Sequence, residues 1–288
     1  MIIKNKIYSY LYLLFSIITI ILNNFFLQNI DREYSVILLI FFVVLFGLPH
    51  GALDTLTAKK NNLLNNFYKF ISFHLIYLLI IVLFFCFWFY FPLAGLSFFL
   101  IISIIHFSED WKPELNFFER LVMGTSLISS TVFFQPDDIN SIFFALTFTS
   151  EVTIIISFFN YIFYLLIFCL LIIILQNFKK YYIILNIVTI LTTAVILNPL
   201  LYFMCYFCFH HSIKNYKDSI DNLDLVGKAK TIKVLIINLL FTLFLSFIIF
   251  IFFLKGSLEY KLLQITFIGL AALTVPHMLL KAYINYKK

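Results

Sequence analysis

Charge is what this chain has least of: only 12% of its 288 residues are Asp, Glu, Lys or Arg, about half the usual soluble share. With 63% hydrophobic residues and a mean hydropathy of +1.03, a water-soluble globule is excluded. Cysteine is scarce too, and Cys86, Cys169, Cys205 and Cys208 all lie inside apolar runs, so no disulfide framework is indicated. Cys205-x-x-Cys208 has a metal-like spacing, but it sits within a span and has no second pair, so it reads as packed apolar thiols. There is no glycine-rich phosphate loop, no nucleophile elbow and no Ser-His-Asp arrangement. The first apolar run lacks a small-x-small cleavage pattern and continues as Gln28-Asn29-Ile30-Asp31, so it reads as a retained transmembrane helix. The net charge of +6 does not point to nucleic acid, because the basic residues lie mostly in short loops.

What is present is apolar length. Runs such as Ile7 to Leu22, Phe70 to Phe91 and Val234 to Leu254 approach or exceed the ~20 residues that cross a hydrocarbon core. The expected fold is an all-α, polytopic transmembrane helical bundle of about ten spans, one integral membrane domain over residues 1–288 with no internal repeat. The spans fall near 7–30, 34–57, 67–91, 95–110, 119–135, 141–175, 181–197, 199–213, 233–254 and 261–283. The 141–175 stretch is too long for one simple span, and Glu151 is expected to set off a short interfacial piece. The 39 phenylalanines read as AT-rich codon usage rather than function.

Loop charges orient the bundle. With Lys4 and Lys6 inside, the loops bearing Lys59, Lys60 and Lys69, Lys112 and Arg120, Lys179 and Lys180, and Lys214, Lys217, Lys228, Lys230 and Lys233 also fall inside. So do the C-terminal Lys281, Lys287 and Lys288, which places both termini in the cytoplasm and the chain in a cell membrane, the inner membrane of a bacterium. Asp31-Arg32-Glu33 and Asp137-Asp138 then lie outside, the latter as a solvated turn rather than an acid/base dyad.

In this topology the spans carrying His50, His106, His211 and His277 all run from outside to inside, with each histidine in the last third. Imidazoles at one membrane depth are costly to leave unsatisfied, and clustered neutral ones suit a transition metal. His74 falls at a similar depth as a fifth polar neighbour. In Gly47-Leu-Pro-His50-Gly51-Ala-Leu-Asp54 the proline bends the helix, the glycines permit close backbone approach, and Asp54 shares a face with His50. His106-Phe-Ser-Glu109-Asp110 repeats the spacing. A carboxylate beside an imidazole can hold the ring for a metal, so Asp54 and Asp110 are the expected orienting and charge-balancing acids. The blander readings are a kinked helix for the first segment and a charged helix end for the second. Phe209-His210-His211-Ser-Ile-Lys-Asn215 ends another span; neighbours about 100° apart cannot both face one ion, and Asn215 shares His211's face. Val275-Pro276-His277-Met278 supplies a second Pro-His pair, with Lys281 snorkelling one turn on.

At Gly-Leu-Pro-His50-Gly-Ala-Leu-Asp54 the sequence resembles the Brp/Blh family of membrane β-carotene 15,15'-dioxygenases, and the His106, His211 and His277 segments follow in that family's order over about residues 35–283. The resemblance implies a multi-pass helical enzyme whose histidines hold Fe(2+), with His50, His106 and His211 matching ligand positions and His277 a fourth. The implied partners are an apolar carotenoid drawn from membrane lipid, and O2, giving retinal. The family's third motif is His-Ser-x-x-His, and this chain has Asn215 at its second histidine. A haem electron-transfer protein, a di-iron desaturase and an ion transporter are the rival classes; the histidines are too few and too scattered for the di-iron boxes.

Overall fold

The computed structural model describes residues 2–26, 30–222 and 228–287. Residues 27–29, which close the first apolar run, and Lys288 lie outside the described residues, as do the side chains of Lys4, Lys228 and Lys230. The described chain is helical, with no strand: α1 Ile2–Ile21, α2 Arg32–Lys60, α3 Phe67–Tyr90, α4 Pro92–Ser108, α5 Phe117–Phe134, α6 Pro136–Thr147, α7 Val152–Gln176, α8 Tyr181–Ile196, α9 199–222, α10 Lys228–Phe252 and α11 Leu258–Tyr286.

Seven of these (α1, α2, α3, α4, α7, α10 and α11) are long and apolar enough to cross a membrane, where the sequence reading expects about ten spans. The shortfall has a local cause. Helix α5 starts on a capping box, Asn116 with Glu119, and buries Ser126, Ser129, Ser130 and Thr131, so its hydropathy is diluted. The 141–175 stretch does divide: α6 ends at Thr147, Phe148 takes a left-handed turn (φ 54°), and α7 begins at Val152, just past Glu151. Helix α9 passes beyond residue 213 to Asn222.

The apolar surplus faces outward. On α3, Leu75, Ile76, Leu79, Val82 and Leu83 are all exposed, and α10 likewise turns Ile236, Ile237, Leu240, Phe241 and Phe244 away from the bundle. A surface of that extent is stable only against lipid or another apolar partner.

Two close approaches set the interior. A Cβ on Gly124 of α5 would stand 2.4 Å from the Ile104 carbonyl oxygen of α4, so these helices pack backbone to backbone at the level of His106. A Cβ on Gly47 of α2 would meet the Phe207 ring of α9 at 2.6 Å. Gly51, expected to do the same, has nothing within 4 Å of its Cβ position; its side of α2 is open.

Candidate metal centre

Helices α2, α4, α9 and α11 bring His50, His106, His211 and His277 together. Two are locally rewound at the site. In α2 the 43–47 turn is π-helical, Leu48 N–H reaching the Val43 carbonyl, just ahead of Pro49 and its missing donor. In α9 the π-helical turn Phe207–Ser212 contains His210 and His211. Pro276 interrupts the α11 ladder one residue before His277.

The four predicted imidazoles meet. Ring centroids stand 4.5 Å apart for His106 and His211, 5.2 Å for His50 and His277, 5.3 Å for His50 and His211, 5.5 Å for His106 and His277, and 6.3 Å for His50 and His106. One ring nitrogen each from His50, His106 and His277 lies within 4.8 Å of the others. His211 is 1% exposed, and His50, the most open, 9%.

The orienting partners differ from the spacing-based expectation. His50 Nδ1–H donates to the Gly47 carbonyl at 2.7 Å, on its own helix, rather than to Asp54. Asp54 instead receives His277 Nδ1–H from α11, at 2.9 Å to each oxygen, and the Tyr77 hydroxyl from α3 at 2.9 Å. Asp110 likewise serves His211 of α9 rather than His106: Oδ2 accepts from His211 Nδ1 at 2.8 Å and from the Tyr206 hydroxyl at 2.7 Å. Sharing a helix face puts two side chains side by side, but here each carboxylate turns inward to a ring on a facing helix. Both acids thus adjoin the cluster through His211 and His277. Glu109 points outward and pairs with Lys112 and Arg120.

Asn215 sits one layer behind the rings. Its Nδ2 donates to Asp110 Oδ1 at 3.1 Å and to the His211 carbonyl at 2.8 Å, and its Oδ1 accepts from Lys281 Nζ at 3.3 Å. Lys281 is thus tied into the site rather than only snorkelling, and Lys214 Nζ bonds the Asp110 carbonyl. His210 turns away from the cluster into a box of Tyr12, Tyr206 and Trp111, with centroids at 5.5, 5.2 and 6.1 Å. His74 does not join either; it bonds the Phe70 carbonyl and stands 3.3 Å from the Thr55 hydroxyl. Cys205 and Cys208 are buried in the core, Cys205 beside Thr19. Tyr77 and Tyr206, which brace the two carboxylates, carry no sequence signal that singles them out among 17 tyrosines.

The donor set fits a metal ion. With Nδ1 of His50, His211 and His277 committed to carbonyl or carboxylate acceptors, the proton sits on Nδ1 and the lone pair on Nε2. The Nε2 atoms of His211 and His277 are buried and have no hydrogen-bond partner. Orphaned buried lone pairs from separate helices, backed by two carboxylates that offset a divalent charge, are what a transition-metal site needs.

Two apolar spaces adjoin the rings. Beside Phe107 and Tyr206 a cavity of about 90 Å³ runs between α4, α5, α6 and α9. On the other side, Tyr77 and Pro276 line a groove of about 430 Å³ between α3 and α11, which opens past Ile76 and Leu279 to the lipid-facing surface.

A sequence family described as beta-carotene 15,15'-dioxygenase matches residues 41–285. The chain belongs to this family. A curated relative, the beta-carotene 15,15'-dioxygenase of an uncultured marine bacterium (66A03), is 32% identical over 252 residues, covering 84% of this chain and 91% of the relative. No solved structure matches the chain. All four clustered histidines and both carboxylates fall inside the matched family region.

Proposed function

We propose that this chain is an integral membrane dioxygenase that cleaves the central double bond of β-carotene or a related carotenoid, using Fe(2+) held by His50, His106, His211 and His277. The observation that carries this reading is the pair of buried, unpartnered Nε2 atoms on His211 and His277, with one ring nitrogen each of His50, His106 and His277 within 4.8 Å of the others and the His211 ring 4.5 Å from that of His106. The overall change balances without an outside reductant: one carbon–carbon double bond breaks, and each of its carbons takes one oxygen atom of O2 to become an aldehyde. Bound ferrous iron would supply the activation of O2 that this change requires.

The chain's own residues do the rest. Asp54 and Asp110 fix two rings in the tautomer that leaves Nε2 free, and Gly47 does so for His50. The lipid-open groove gives an apolar substrate a route from the bilayer, and the cavity beyond Phe107 receives one end of it, so the middle of the chain rests at the rings. The aromatic and aliphatic walls exclude water. His277 supplies the imidazole that position 215 lacks, and Asn215 stabilises Asp110. On this reading the termini are cytoplasmic and the cluster lies toward the cytoplasmic leaflet.

Expression in a carotene-accumulating bacterial host tests it. Loss of colour with appearance of retinal is expected. Unchanged carotene, or a purified protein with a Soret band in place of non-haem iron, would overturn the assignment.

A further inference from the structure

The cavity beside Phe107 and Tyr206 contains a buried hydroxyl with no partner. Thr131 of α5 lines it, is 7% exposed, and its Oγ1 has no hydrogen bond. Other hydroxyls on this helix bond back to it: Thr125 to the Leu121 carbonyl, Ser126 to Met123 and Ser129 to Thr125. Thr131 does not do the same, and the carbonyl one turn earlier, on Leu127, accepts the Tyr202 hydroxyl from α9 at 2.7 Å. Tyr202 itself lines the cavity and also touches Ser130 at 3.2 Å. A neighbouring helix therefore occupies Thr131's usual acceptor, and the Thr131 hydroxyl stands unpaired in a mostly apolar wall that includes Leu96, Leu100, Ile139 and Phe143 beside Ser103 and Tyr202.

Its position is as informative as its chemistry. Gly124 packs on residues 104–108, level with His106. Thr131 is seven residues further along α5, so it stands roughly 10 Å along the helix from the histidines. A water there would need two to four polar partners, whereas the Tyr202 and Tyr206 hydroxyls on this wall already donate to Leu127 and Asp110. An oxygen carried in on an apolar body needs only one.

We infer that the substrate is a carotenoid bearing a hydroxyl or keto oxygen on the ring that enters this cavity, read by Thr131 Oγ1. This rests on the carotenoid reading above and narrows it. The reaction is unchanged in its balance; one of the two aldehydes then carries the ring oxygen.

Binding to metal-free purified protein tests the inference separately from catalysis. β-Carotene and its ring-hydroxylated analogue zeaxanthin are titrated, and the circular dichroism induced in the polyene is followed. Zeaxanthin is expected to bind about tenfold more tightly, the worth of one neutral hydrogen bond. Thr131→Val should bring the two affinities together, and Thr131→Ser should keep them apart. Equal affinities in the wild-type chain, or a preference that survives Thr131→Val, would overturn the inference while leaving the proposed function standing. Failure of both carotenoids to bind or be cleaved would overturn the two together.

Discussion

Replacing Asp110 by Asn removes a charge while keeping shape, and the hydrogen bonds around the carboxylate determine the consequence. Oδ2 now accepts two of them, from His211 Nδ1 and Tyr206, and Oδ1 accepts a third from Asn215. An amide cannot accept at both atoms. Whichever way it is turned, an N–H faces either the His211–Tyr206 side or Asn215. In the first case His211 Nδ1 loses its acceptor, and the neutral ring is free to move its proton to Nε2, the atom meant for metal. In the second case the Asn215 brace is lost. Orienting partners of metal-bound histidines are worth about 10–100-fold in affinity, or ~1.4–2.7 kcal/mol. Anaerobic Fe(2+) titration against a competing chelator should therefore show a loss in that range for Asp110→Asn. Glu109→Gln, which touches only Lys112 and Arg120, should bind as wild type. Wild-type affinity in Asp110→Asn would refute the reasoning, because it would mean that His211 is not held through this carboxylate.

Neighbouring contacts give further expected outcomes. Asp54→Asn should weaken Fe(2+) binding by a similar ~10–100-fold in the same titration, since it is the sole carboxylate bonded to His277 among the described residues. Asn215→Ala should weaken binding less than Asp110→Asn does, because it removes one brace and leaves the carboxylate on His211. His210→Phe should keep the wild-type iron content by elemental analysis, since His210 faces the aromatic box, whereas His277→Ala should lose most of it. Gly124→Ala should cost about 1–3 kcal/mol by thermal unfolding in detergent, because the new methyl group meets a backbone oxygen; Gly51→Ala, which meets nothing, should not destabilise.

The sequence made the clustering of the imidazoles legible but not their orientation. His50, His106, His211 and His277 could be matched because depth along a membrane helix is a one-dimensional quantity, read directly from apolar run and loop charge. The partners of Asp54 and Asp110 depend on how α2 faces α11 and how α4 faces α9, and no local spacing encodes that. The i,i+4 rule pointed to His50 and His106, whereas the π-helical turn and Pro49 let the Gly47 carbonyl take the His50 proton instead. Hydropathy alone does not pick out α5 as a span, because this core helix buries Ser126, Ser129, Ser130 and Thr131. The exclusion of His210 from the cluster was readable, because adjacent residues cannot face one point. His74 has the right depth but lies on the wrong side of α3.

Whether the four imidazoles share one iron is decided most directly by the metal content of protein purified under anaerobic conditions, with the iron's ligand shell read by X-ray absorption. About one iron per chain is expected, in a nitrogen-dominated shell, lost when any of His50, His106, His211 or His277 is changed to Ala. A wild-type protein that binds no iron when supplied with Fe(2+), or one whose iron survives all four substitutions, would contradict a shared site.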